Sequence, residues 1–218
     1  GSRGIETAEA LSMPGVLGVW TGQDTAADGL GGMPWECRPP GVSEKLPIGD
    51  PSFAQPQPIL ALDRALYQGQ ALAVVVAETL EQALDAAEMV IVDYAPGDPI
   101  LSVRAAIEAT PIWEQSPENR SFGFRVGDAT RTAAAFDRAA HVATLSVENG
   151  RLVQNPMETR GYLGLWDAQD QRFTLHAAAG KPQTLGRALA RDIFHLPEDR
   201  VRVITQDVGG GFGAKNPL

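Results

Sequence analysis

Gln206-Asp207-Val208-Gly209-Gly210-Gly211-Phe212-Gly213-Ala214-Lys215 decides how this chain is read. The residues leading into it, Val201-Arg202-Val203-Ile204-Thr205-Gln206-Asp207-Val208, predict a strand that runs into three glycines, a phenylalanine and a fourth glycine. Without a Cβ, glycines let backbone N–H groups come close to a ligand. The stretch predicts a cofactor cradle at a strand end, with a plain glycine turn between strands as the alternative. Two common glycine motifs are excluded. A P-loop needs Gly-Lys followed by Ser or Thr, but Ala214 precedes Lys215 and Asn216 follows it. A dinucleotide fingerprint needs a third glycine where Asn216 stands.

Working back from the loop, Leu185, Ala188, Leu189, Ile193 and Leu196 recur at helical spacing, and Pro197 ends the helix. His195 then falls at a helix C-terminus, where a cation complements the dipole. Strands are predicted over Phe173–Ala178 and Tyr162–Trp166, joined by a turn at 168–171. His141–Glu148 alternates like another strand before the turn pair Asn149-Gly150, and Thr130–Ala140 reads as a helix. Residues 98–122, with Pro99, Pro111 and Pro117, read as a connector. Upstream, Ala71–Ala77 is a continuous apolar run typical of a buried strand. Thr79-Leu80-Glu81-Gln82 then has capping-box form, with Leu80, Ala83, Leu84 and Ala87 at helical spacing and a strand at Val90–Tyr94. Residues 25–58 are Gly/Pro-rich and read as a long irregular loop suited to a subunit or domain contact. A short helix over Glu6–Ser12 and a strand over Val16–Trp20 open the chain.

Composition narrows the function classes. The chain has 218 residues, 44% hydrophobic and 21% charged, room for one large or two small domains. A net charge of −9 argues against nucleic acid or an anionic membrane as partner. No apolar run approaches the ~18 residues of a membrane span, and no signal-peptide pattern opens the chain. The single cysteine, Cys37, excludes an internal disulfide and an iron–sulfur cluster held by this chain alone. His141, His176 and His195 lack metal-ligand spacing, and no serine-nucleophile elbow is present.

Four segments, in order along the chain, carry a resemblance. They are Ala10-Leu11-Ser12-Met13-Pro14-Gly15-Val16 with Val19-Trp20-Thr21-Gly22-Gln23-Asp24; Tyr67-Gln68-Gly69-Gln70 through Glu78-Thr79; Asn155-Pro156-Met157-Glu158-Thr159-Arg160-Gly161; and Val208-Gly209-Gly210-Gly211-Phe212-Gly213-Ala214-Lys215. Together they resemble the molybdenum-binding large subunit of the xanthine dehydrogenase/aldehyde oxidase/carbon monoxide dehydrogenase family. The resemblance implies a mixed α/β, α+β fold: an N-terminally truncated α/β hammerhead domain over 1–97, a connector over 98–122, and the first part of a molybdopterin-binding domain over 123–218.

What it implies of function is oxidative hydroxylation of an aldehyde, an N-heterocycle or carbon monoxide with water. The cofactor would be molybdopterin carrying molybdenum, in the cytosine dinucleotide form. Gly209, Gly210, Gly211, Phe212 and Gly213 would bind it, and Phe212 and Asn216 would face the substrate. Gly180 falls where many relatives carry a glutamine, in Ala178-Ala179-Gly180-Lys181-Pro182, and would offer only its backbone N–H. Asn216, where purine-using members have an acid, argues against a purine substrate. Lys215 would meet a phosphate or carboxylate, or be solvated. Glu158 and Arg160 would form an ion-pair network under the cofactor. The catalytic glutamate would lie beyond Leu218, so no catalytic residue and no metal ligand is assigned here. Expected partners are the remainder of the large subunit, Fe–S and FAD subunits and a small-molecule substrate, in the cytoplasm. The 218 residues alone are expected to lack cofactor and turnover. A stand-alone, non-catalytic binding or assembly module is the rival reading.

Overall fold

Strand, helix, strand occurs twice in the first hundred residues, and the two arms pair with each other. A computed structural model describes residues 2–34, 56–113, 116–120, 127–150 and 152–215. The first arm is β1 (Ser2–Glu6), α1 (Ala8–Leu11) and β2 (Val16–Thr21). After α2 (Gly22–Ala27), β3 (Gly32–Met33) pairs antiparallel with β4 (Gln57–Pro58). The second arm is β5 (Ala73–Ala77), α3 (Leu80–Glu88) and β6 (Ile91–Tyr94). The inner strands pair antiparallel, β2 with β5, setting Val19 opposite Val75. The outer strands pair likewise, β1 with β6, setting Ile5 opposite Val92. The strand–helix–strand predicted over 71–94 is therefore split between two ladders. The helices α1 and α3 pack together, each bringing a fully buried alanine, Ala10 and Ala86.

The capping box forms as its sequence dictates. Thr79 Oγ1 accepts from Gln82 N at 3.3 Å, and Gln82 Oε1 accepts from Thr79 N at 3.1 Å. Two of the orphan amides at the helix start are thereby satisfied.

Between the arms and the later sheet, the 98–122 region holds a helix, α4 (Val103–Glu108), capped by Ser102 Oγ, which accepts from Ala105 N at 3.1 Å. The helix α5 (Ala129–Asp137) follows, with Asp128 Oδ1 accepting from Arg131 N at 2.9 Å. Residues 141–150 do not form the predicted strand or hairpin. Among the described residues none pairs with them, and a strand exists only through a ladder partner. Val142, Leu145 and Val147 are exposed accordingly.

The second sheet has the order β7 (Tyr162–Asp167), β8 (Arg172–Ala177), β9 (Val201–Ile204). β7 and β8 are antiparallel; their turn is built on Asp167 Oδ1, which accepts from Gln169 N at 2.8 Å and Asp170 N at 3.0 Å. β8 and β9 are parallel, and the crossover is α6 (Pro182–Ala188) continued by a π turn over Leu189–Ile193. The turn ends through His195 at φ 53°, with Leu196 N donating back to Ala190 O at 2.8 Å. The predicted helix thus stops before Leu196, because a left-handed residue cannot propagate it. Phe194 stacks on Phe173 at 4.8 Å, fastening the crossover to the sheet. β9 is four residues, not the predicted eight: its pairing with β8 ends at His176–Ile204, and the last residue of β8, Ala177, pairs with β7 alone.

The early and late parts of the chain meet at Gly31. Gly31 N donates to Ile193 O at 2.8 Å, and a Cβ on Gly31 would sit 1.8 Å from Asp192 O. Only glycine permits that approach. Of the predicted loop 25–58, residues 35–55, including Cys37, lie outside the described residues, as does Asn216.

Candidate functional site

Because β9 ends at Ile204, residues 205–208 carry the chain off the sheet edge into the glycine loop. Three of the loop's residues have left-handed backbones: Gly210 at φ +93°, Phe212 at +47° and Gly213 at +86°. A Cβ on Gly209 would lie 2.6 Å from Glu158 Cβ; one on Gly210 would lie 3.2 Å from the Phe212 ring and 3.5 Å from Pro156. The loop is therefore shaped by the 156–160 segment behind it, and its glycines are required by space as well as by dihedral angle.

Glu158 is the central side chain. Its Oε2 accepts from Gly209 N at 2.8 Å and from Lys215 Nζ at 2.5 Å. Glu158 N donates in turn to Gly209 O at 3.4 Å. Arg160 Nη2 donates to Ala214 O, and Gly180 N donates to Lys215 O at 3.2 Å. Ala214 N donates to Gly211 O at 2.7 Å, closing the loop on itself. The Lys215 side chain is 1% exposed and that of Glu158 38%. The Lys215 hydrogen bond, then the Gly209 N–H, hold the Glu158 carboxyl below its ordinary range, against a smaller opposing effect of desolvation.

Among the described residues, the amides of Gly210, Gly211, Phe212 and Gly213 donate to no protein acceptor. Consecutive free amides, in a run where Gly210, Phe212 and Gly213 are left-handed, are donors that an anionic group can use. Thr205 Oγ1, on the approach to the loop, is a buried polar atom without a partner. Phe212 is 74% exposed, so its ring faces outward and does not serve as a core residue under the turn.

The structure thus brings together Gly209, Gly210, Gly211, Phe212, Gly213 and Gly180. Gly180 joins through a bond to the loop's own backbone, which occupies its one N–H. Glu158 and Arg160 do not pair with each other; each holds a different point of the loop. The tie of Glu158 to Lys215 spans 57 positions and has no local signature in the sequence. Lys215 meets a carboxylate of its own chain, one of the alternatives its sequence left open. Among the described residues no group of three His, Cys, Asp or Glu side chains stands close enough to hold a metal ion. No described helix is long and apolar enough to cross a membrane.

Comparison with known proteins identifies the two domains. The family described as "Aldehyde oxidase and xanthine dehydrogenase, a/b hammerhead domain" matches residues 3–98, and "Molybdopterin cofactor-binding domain" matches residues 112–218. The nicotine 6-hydroxylase large subunit of Paenarthrobacter nicotinovorans is 31% identical over 97% of this chain and 24% of its own. The carbon monoxide dehydrogenase large chain of Afipia carboxidovorans is 30% identical over 98% of this chain and 26% of its own. The crystal structure of Cu,Mo-CO dehydrogenase in its carbon monoxide reduced state superposes with a TM-score of 0.80 at 28% identity, over 99% of this chain and 27% of that one. Quinoline 2-oxidoreductase from Pseudomonas putida 86 superposes with a TM-score of 0.77 at 27% identity, over 98% of this chain and 26% of that one. The chain spans about a quarter of the length of these two relatives. By these two domain matches, which together take in residues 3–98 and 112–218, the chain belongs to the aldehyde oxidase and xanthine dehydrogenase family and carries its hammerhead and molybdopterin cofactor-binding domains.

Proposed function

We propose that this chain supplies the hammerhead domain, over 1–97, and the first part of the molybdopterin-binding domain, over 123–218, of a molybdenum hydroxylase large subunit, with 98–122 connecting them. The observation that carries the reading is the run of four free amides at Gly210–Gly213 on a loop pinned from behind by Glu158. These residues fit molybdopterin. The free amides receive its anionic groups, and a Cβ at Gly209 or Gly210 would crowd Glu158, Phe212 and Pro156. We assign the cytosine dinucleotide form of the cofactor. When bound, the group supplies a metal centre that accepts two electrons while a substrate carbon is hydroxylated with oxygen from water.

The chain's own residues bind and orient. Gly210 to Gly213 present their amides to the cofactor, Gly209 is held by Glu158 behind them, and Gly180 supports the loop's far end. The exposed Phe212 ring bounds the space for a flat substrate, such as an aldehyde or N-heterocycle, or narrows it for carbon monoxide. A glutamate elsewhere in the large subunit is the base, so these 218 residues alone bind cofactor weakly and turn over nothing. Electrons leave to Fe–S and FAD subunits in the cytoplasm.

The test is turnover by the assembled, molybdenum-loaded enzyme with aldehydes, N-heterocycles and carbon monoxide in turn, using a dye as electron acceptor. Reduction of the dye with one class supports the reading. A loaded enzyme inert to all three overturns it.

A further inference from the structure

A loop built to receive an anion has a carboxylate directly behind it, and that needs an explanation. Glu158 Oε2 lies 2.8 Å from Gly209 N, adjacent to the four free amides. An unbalanced negative charge there would oppose the binding of any anionic group. The buried Lys215 Nζ lies 2.5 Å from the same oxygen, with its side chain almost wholly removed from solvent. A cation so placed is spent on Glu158 and is not presented to a ligand. The same lysine's backbone oxygen takes the Gly180 N–H at 3.2 Å, so both ends of Lys215 hold the loop.

We propose that Glu158 and Lys215 are positioning residues acting as one unit: Glu158 pins the loop through the Gly209 amide, and Lys215 cancels the carboxylate's charge so that the loop still accepts an anionic cofactor. This rests on the cofactor reading above, but only for the nature of the anion. Lys215 is thereby assigned to the protein interior and not to a phosphate of the ligand. Charge-assisted bonds are about twice as strong as neutral ones, so the pair can hold a glycine-rich loop that has few other restraints.

The test compares wild type, E158Q, K215M and E158Q/K215M in the full large subunit, with two readouts. The first is amide exchange at Gly209, Ala214 and Gly180, with β8 amides as the check on folding. E158Q is expected to speed exchange at Gly209 by about tenfold, since a charged acceptor is replaced by a neutral one. K215M is expected to speed Gly180 similarly, and the double variant to lie closer to wild type than K215M. The second is molybdenum and pterin content after maturation in a competent host. K215M is expected to lose most of its cofactor and the double variant to regain it, because removing both charges restores balance. If both K215M and the double variant lose cofactor while loop exchange is unchanged, Lys215 contacts the ligand and the proposal is overturned. Unchanged exchange at Gly209 in E158Q overturns it as well, and that isosteric variant decides the matter if K215M does not fold. Absence of molybdenum from wild type would overturn the cofactor reading, while the exchange data alone still decide whether the pair pins the loop.

Discussion

Replacing Gly209 by alanine should disturb the cradle through one identifiable contact. The added Cβ would fall 2.6 Å from Glu158 Cβ. Carbon atoms prefer about 3.5–4.0 Å, so one of the two segments must retreat by roughly 1 Å. Overpacking of this kind costs about 1–3 kcal/mol. Any retreat also lengthens the bond from Gly209 N to Glu158 Oε2, now 2.8 Å, and loosens the carboxylate's grip on Lys215. Two controls separate the causes. Gly213→Ala meets nothing within 4 Å but must adopt φ +86°, so it carries backbone strain alone, about 1–2 kcal/mol. Gly4→Ala also meets nothing within 4 Å and has no left-handed backbone, so it should be neutral. Amide exchange at Gly180 and Ala214, read beside thermal unfolding, reports the loop directly. The expected order of exchange is Gly209→Ala faster than Gly213→Ala, which is faster than Gly4→Ala. If Gly209→Ala behaves like Gly4→Ala, the packing of Glu158 behind the loop is wrong.

Thr79→Ala removes one half of the capping box at α3 and should cost about 1 kcal/mol, a fall of roughly 2–4 °C in Tm for a chain of this size by thermal melt. Gly31→Ala places a Cβ 1.8 Å from the Asp192 carbonyl oxygen, which is backbone and cannot swing away, so exchange at Gly31 should rise sharply while β8 stays protected. Glu158 has a lowered pKa, so its contribution is present above the ordinary glutamate value of 4.5 and is lost as pH falls through the lower folded value. The Tm difference between wild type and E158Q should accordingly hold near neutral pH and close under acid; a difference that widens under acid contradicts the assignment.

What could be read in the sequence were the features whose causes are local. The Thr79–Gln82 box, the β5 strand and the turn at 168–171 each depend on residues within a few positions, and each forms, although Val74 and Val76 of β5 are exposed where the apolar run suggested a buried strand. The glycine loop was legible for the same reason, since four glycines in five positions reveal a backbone under close approach. Two of the misses depend on partners elsewhere. His141–Glu148 has strand alternation but no pairing strand among the described residues, and the predicted strand at 201–208 stops where its pairing with β8 stops. The helix α4 was overlooked, although Ser102 is a good N-cap, because the prolines around it suggested a connector. In the candidate site, the glycines announced themselves, but the Glu158–Lys215 tie and the Arg160 bond to Ala214 O required the fold to bring residues more than fifty positions apart into contact.

The most direct test of the central claim is the molybdenum and pterin content of the assembled large subunit carrying this chain, measured for wild type and for Gly210→Val. The account predicts stoichiometric metal and pterin in wild type and loss of both in the variant, since φ +93° and the Phe212 and Pro156 contacts leave no room for a branched side chain. A folded variant that retains full molybdenum, or a wild type that never contains any, would contradict it.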